Sequence, residues 1–159
     1  MCDYSLCGIP NRLAVEGEDL VVHRFSTGSM GLASRADLEV REQLKRAAPR
    51  KTFWQRLRDF VEQPNPCADA PAVCIPPGAQ LVVRSIPGDL QRRFQIGQEE
   101  EAVFTQISSE FNRYRDAVRF HDEREVRLQE LREGIQVRVL SLALASEYVP
   151  PAVTVDSFV

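Results

Sequence analysis

A mainly β fold is what this sequence predicts: a small antiparallel barrel or rolled sheet of six to seven short strands carrying a helical insertion. Three observations lead there. Short β-branched and aromatic runs recur between turn residues, no helix separates them in a βαβ manner, and one helical stretch, residues 35–63, interrupts the series. Closing or rolling such a sheet also removes exposed edges.

The first ordered stretch covers residues 18–33. Leu20-Val21-Val22-His23-Arg24-Phe25 has strand composition, Ser26-Thr27-Gly28-Ser29 has turn composition, and Met30 to Ala33 returns, so a hairpin is expected. From Ser34 the periodicity changes. Ser34-x-x-Asp37 resembles a helix start, and Val40, Leu44, Ala47 and Ala48 follow at helical spacing up to Pro49. Thr52-x-x-Gln55 resembles a second start, with Phe53, Trp54, Leu57, Phe60 and Val61 on one stripe. Residues 64–80 hold five prolines, which excludes a helix and predicts an extended, rigid loop.

Strands are expected again at Leu81 to Arg84 and Ala102 to Ile107. Tyr114 to Phe120 and Glu125 to Leu131 flank the polar His121-Asp122-Glu123-Arg124, a second hairpin. Ile135 to Leu142 alternates clearly. The tail, residues 146–159, is expected to be loosely held. At 159 residues the chain is expected to form a single domain.

Composition is ordinary for a globular protein, with 43% hydrophobic and 27% charged residues. A formal charge of −3 gives no global attraction for polyanions. The N-terminus has neither a basic segment nor an apolar h-region, and no apolar run approaches the ~20 residues of a membrane span, so no transmembrane segment and a cytoplasmic location are expected. In that compartment cysteines are reduced, metal-bound or redox-active more often than they are structural disulfides.

The opening Met1-Cys2-Asp3-Tyr4-Ser5-Leu6 resembles an uncharacterised family of small bacterial proteins. The likeness continues in Phe25, Gly31-Leu32-Ala33, Ala72-Val73-Cys74 and Tyr114 to Leu128, leaving residues 35–66 as an extra segment. The resemblance implies no activity. Histidine is frequent in that family at the position of Cys7, and histidine and cysteine are both metal ligands, so the resemblance leans toward a metal site.

The four cysteines form two pairs, Cys2 with Cys7 and Cys67 with Cys74; the first gap is at the loose limit of zinc-motif spacing and the second is beyond it. A fold that joins the two segments would still permit a closed thiolate site, with His23 able to replace one ligand; thiolate softness favours zinc, ferrous iron or copper(I) over magnesium or calcium, and zinc or iron is expected. The plain alternative is that these are small buried side chains, since free cysteine is among the most buried residue types. Removal of Met1 would leave Cys2 with a free α-amine to activate its own thiol, a cysteine-dependent enzyme. Of the two histidines, His23 alternates along a strand and His121 sits in a charged turn.

A different function class is suggested by the acid-free stretch from Lys45 to Arg58. Arg50, Lys51, Trp54, Arg56 and Arg58 make it a basic amphipathic segment suited to an acidic protein or an anionic surface, unless its stripe simply packs on the sheet. Arg113, Arg115 and Arg119 share one strand face, but the aromatic residues oppose it, so nucleic acid is not favoured.

Overall fold

In the computed structural model the described residues are Leu6, 8–47, 69–107 and 115–143. They contain nine strands in one mixed sheet: β1 (Asn11–Leu13), β2 (Asp19–Arg24), β3 (Met30–Ser34), β4 (Ala72–Cys74), β5 (Gln80–Arg84), β6 (Glu100–Gln106), β7 (Asp116–Phe120), β8 (Glu125–Arg127) and β9 (Gln136–Ser141). Helix α1 (Arg35–Ala47) follows β3, helix α2 (Gly88–Phe94) joins β5 to β6, and a single 3-10 turn, Leu128–Glu130, follows β8. The order across the sheet is β1-β4-β3-β2-β9-β5-β6-β7-β8.

The mainly β expectation holds, with corrections to its detail. The sheet has nine strands, not six or seven, its hydrogen-bonded order has two ends, and β1 pairs with β4 in parallel while the other pairs are antiparallel. The two strands that were not expected, β1 and β4, have three residues each. β4 lies inside the predicted proline loop, between Pro71 and Pro76, and three residues are too few to show a period. Both predicted hairpins are present, as β2–β3 and as β7–β8, where Ala117 faces Arg127 and Arg119 faces Glu125.

Alternation explains the core. Leu20 and Val22, Met30 and Leu32, Leu81 and Val83, Ala102 and Phe104, Val118 and Phe120, and Val137 and Val139 all join one buried cluster. Strands spaced at ~4.8 Å would spread a flat nine-stranded sheet over roughly 40 Å. A single cluster fed from β2 through β8 therefore requires the sheet to roll.

The roll brings the β8 end back to β3, where Gln129 completes the backbone of Met30. Its Nε2 donates to the Met30 carbonyl at 2.8 Å, and its Oε1 accepts from the Met30 N–H at 3.1 Å. This amide takes the place of a strand on the β3 edge beyond the end of β4.

Near the opposite end, Arg12 of β1 makes a two-point contact with Glu18, with Nη1 at 3.1 Å from Oε2, and also reaches Asp37 of α1 at 3.3 Å. Glu18 accepts the Val15 N–H at 3.1 Å as well. The hydrogen bond from Arg12, aided by that N–H, holds the Glu18 carboxyl below the usual carboxylate range against the opposing effect of burial.

Helix α1 differs from expectation in the face it uses. Val40 and Leu44 of the predicted stripe are 54% and 65% exposed, and α1 meets the sheet through Leu38. The chain enters α1 directly from β3, and the Arg12–Asp37 contact holds its first turn, so its rotation follows from those attachments. Ala48, the second predicted helix and the tail lie outside the described residues.

Two predictions follow from these polar ties. Gln129→Ala leaves the buried Met30 amide without partners and should cost about 1–3 kcal/mol in urea unfolding. Glu18→Gln should cost about 1–2 kcal/mol at neutral pH, allowing for solvent screening at the partly exposed Arg12. Because the folded-state pKa of Glu18 is depressed, its contribution is present above pH 4.5 and is lost as pH falls through the folded value. Wild type and variant should thus converge in acid, and a stability gap independent of pH would contradict this assignment.

Candidate cysteine site

The outer face of β2, β3 and β4 carries a second, smaller apolar cluster of Leu6, Ile9, Phe25, Ala33, Ala70 and Ala72, with Leu38 of α1 against it. Strand pleating puts His23, Gly31, Ala33, Ala72 and Cys74 on this face, opposite the main core. β3 is buried along its whole length. Small residues make this possible: a Cβ on Gly31 would stand 2.9 Å from Leu6 Cδ1 and 3.0 Å from Phe25 Cε2.

This cluster joins the two cysteine-bearing segments. Leu6 directly precedes Cys7 in the chain, and Ala70 and Ala72 lead into Cys74. Cys74 is 6% exposed, faces Leu13 of β1 in register, and is disulfide-bonded. Its sulfur partner lies outside the described residues, as do Cys2, Cys7 and Cys67 themselves.

His23 and Cys74 share the face without sharing an immediate neighbourhood. His23 is level with Gly31, and continuing the Ala33–Ala72 register places Cys74 level with Gly31 from the other side. The gap between them is covered by Leu6 and Phe25. The imidazole packs edge-on against Phe25 at 5.1 Å, and its Nδ1 stands 3.0 Å from Glu133 Oε1. The same carboxylate oxygen accepts the Arg24 N–H at 3.2 Å, so the backbone of β2 fixes its position.

His23 also lines a cleft of about 230 Å³ between α1 and the sheet, together with Leu38, Arg41, Glu42, Lys45, Asp69 and Ala70. Asp69 is anchored there by Ser26, whose N–H donates at 3.3 Å and whose hydroxyl also donates. Glu42 is paired with Arg46 at 2.5 Å. His121 is exposed on the β7–β8 turn, at the rim of a separate depression shared with Arg119 and Glu123.

Among the described residues, no group of three or more His, Cys, Asp or Glu side chains is arranged to hold a metal ion, and no helix is long and apolar enough to cross a membrane. Arg50, Lys51, Trp54, Arg56 and Arg58 lie outside the described residues. Of the arginines on the strand faces, Arg119 pairs with Glu123 at 3.7 Å and Arg138 with Asp19 at 3.8 Å.

Glu133, Asp69 and the Leu6–Gly31 contact are the parts of the site that sequence reasoning missed. Gly31 did carry a signal, since a glycine inside a strand often marks close approach of another group. Glu133 carried none, sitting in a charged stretch far along the chain from His23.

Comparison with protein-family models, with curated proteins and with solved structures found no match. The site therefore stands on its own geometry.

Gly31→Val should force Leu6 off β3 and destabilise the protein by about 1–3 kcal/mol. Adding Leu6→Ala should recover part of that loss if the two side chains compete for one space. Strictly additive costs in chemical unfolding would show that they do not.

Proposed function

We propose that this protein binds a thiophilic metal, zinc or iron, through its clustered cysteines when they are reduced, and that oxidation closes the site through Cys74. The observation that carries this reading is the outer-face cluster in which Leu6, Ala70 and Ala72 pack together. Chain connectivity supports it further. Cys7 follows Leu6 immediately, and Cys67 is two residues from Asp69, a span of at most about 7 Å.

The disulfide at Cys74 sets a condition on the reading. A cysteine in a disulfide offers no thiolate, so metal and disulfide are alternatives. In the oxidised state two thiols have lost two protons and two electrons to an oxidant such as a small-molecule disulfide. In the reduced state the thiols ionise and release their protons as the metal binds. Cys2, Cys7, Cys67 and Cys74 are the thiolate candidates, with His23 able to contribute an imidazole. A reducing cytoplasm is the compartment this function requires. The same reading takes the sheet as an incompletely closed barrel, because Gln129 bridges from the β8 end to Met30.

A second reading is supported by a separate observation. Val40 and Leu44 are exposed on α1 beside Lys45 and Arg46 of its last turn. That basic and apolar surface, followed in the sequence by Arg50, Lys51, Trp54, Arg56 and Arg58, suits docking on an acidic protein.

The first reading is tested on anaerobically reduced, full-length protein. About one equivalent of zinc or iron should be retained after desalting, and oxidised glutathione should release it with the loss of two titratable thiols. Cys74→Ser should weaken metal binding by at least about tenfold. Reduced protein that retains no metal, with all four thiols titrating freely, would overturn the proposal.

A further inference from the structure

Helix α1 turns one side to the sheet and leaves a different one in water. Its sheet side is set by Leu38, which packs on the outer-face cluster. At ~3.6 residues per turn the opposite side carries Ala36, Val40, Leu44 and Ala47, and all of them are exposed. Val40 and Leu44, one turn apart near the middle of the helix, are large apolar side chains standing in water. A second helix could cover a stripe of this spacing by packing its own apolar ridge against it.

Charge decides which helix. Asp37 and Glu39 stand in the first half of α1, and Lys45 and Arg46 in its last turn. Around the helix, Asp37 and Lys45 flank the stripe on one side, Glu39 and Arg46 on the other. Suppose a copy of α1 is laid antiparallel, with Val40 level with the copy's Leu44. Asp37 then comes beside the copy's Lys45, and Glu39 beside its Arg46, along both flanks. The two helix dipoles also oppose, which is favourable. A parallel copy would instead set Lys45 and Arg46 against themselves. The ion pairs that Asp37, Glu39 and Arg46 already make, with Arg12, Arg35 and Glu42, lie at the surface, so sharing them costs little. Lys45 is exposed at the rim of the cleft and forms no ion pair among the described residues.

We infer that α1 is a self-association surface, on which a second copy of this chain packs its own α1 antiparallel about a two-fold axis. This rests on the docking reading of α1 above and names its acidic partner, the Asp37 and Glu39 half of another copy. Such a contact uses the same patch on both chains and closes on itself, so it yields dimers and not filaments. One helix pair with Val40 and Leu44 as its large apolar residues falls below the ~1,200 Å² of standard interfaces. The dimer is therefore reversible and forms at high protein concentration.

The test is sedimentation of the full-length protein from ~10 μM to ~1 mM, over which the average mass should rise toward that of two chains. Leu44→Glu should raise the dissociation constant at least about tenfold. Because that side chain is exposed, the urea midpoint of the variant should stay near that of wild type. Glu39→Lys, and the double variant Lys45→Glu with Arg46→Glu, should each self-associate less. An equimolar mixture of those two variants should associate again, since each supplies the charge the other lacks. Isotope-filtered NOEs between labelled and unlabelled copies should connect the Val40 methyls of one with the Leu44 methyls of the other.

Wild type that stays monomeric at ~1 mM would overturn self-pairing. So would association unchanged by Leu44→Glu, or Val40 methyls in contact with Val40 of the other copy. If the monomeric protein still binds poly-L-glutamate, and Lys45→Glu with Arg46→Glu weakens that binding, the docking reading stands without the dimer. A monomer that also fails to bind poly-L-glutamate would overturn both.

Discussion

Strand β3 is covered on both faces, and much of the fold is arranged around that constraint. Met30 and Leu32 point into the main core, while Gly31 and Ala33 lie beneath Leu6, Phe25 and Leu38. A strand in this position must be apolar throughout and nearly without side chains on its outer face. Met30-Gly31-Leu32-Ala33 satisfies both demands. Gly31 is the critical position, because the space of its missing side chain is filled by Leu6 and Phe25. Leu6 and Ile9 thereby meet the chain returning through Ala70 and Ala72 on this face.

Burying β3 creates a problem at its edge. Backbone groups taken from water must find partners, and β4 is too short to serve the whole strand. Gln129 supplies the missing partners at Met30, and in doing so it ties the last part of the rolled sheet to the first. Arg12 performs a comparable task near the other end, linking β1, the turn before β2 and the start of α1 through Glu18 and Asp37. One side chain in each case joins segments that the sheet ladder leaves separate. Loss of either tie would loosen the strands that carry the outer-face cluster.

The candidate site is thus a product of the scaffold, because nothing in the spacing of the cysteines creates it. Cys74 is buried at the end of β4, between the exposed edge strand β1 and the covered β3. Its sulfur, taken up in a disulfide, is buried there. His23 approaches from the other side of Gly31, held by Phe25 and Glu133. The space between them, above Gly31, is filled by Leu6 and Phe25.

What the sequence by itself determined is the part governed by short-range physics. β-branched and aromatic composition between turn residues marked β2, β5, β6 and β7, alternation marked β9, and turn residues marked both hairpins, because these signals are carried by neighbouring residues of one short segment. The helical period likewise located α1, though not the face it would use, since Val40 and Leu44 follow the pattern of a packed stripe and are exposed. Three-residue strands such as β1 and β4 lie below the length at which any period can be read, and their pairing in parallel depends on a partner far away in the chain. The same holds for the site. Gln129 meets Met30 across 99 residues and Glu133 meets the backbone of Arg24 across 109, contacts with no local signature at either end. The tertiary structure alone decided them, because they arise from the roll of the sheet, and the roll follows from packing every strand's inward face into one core.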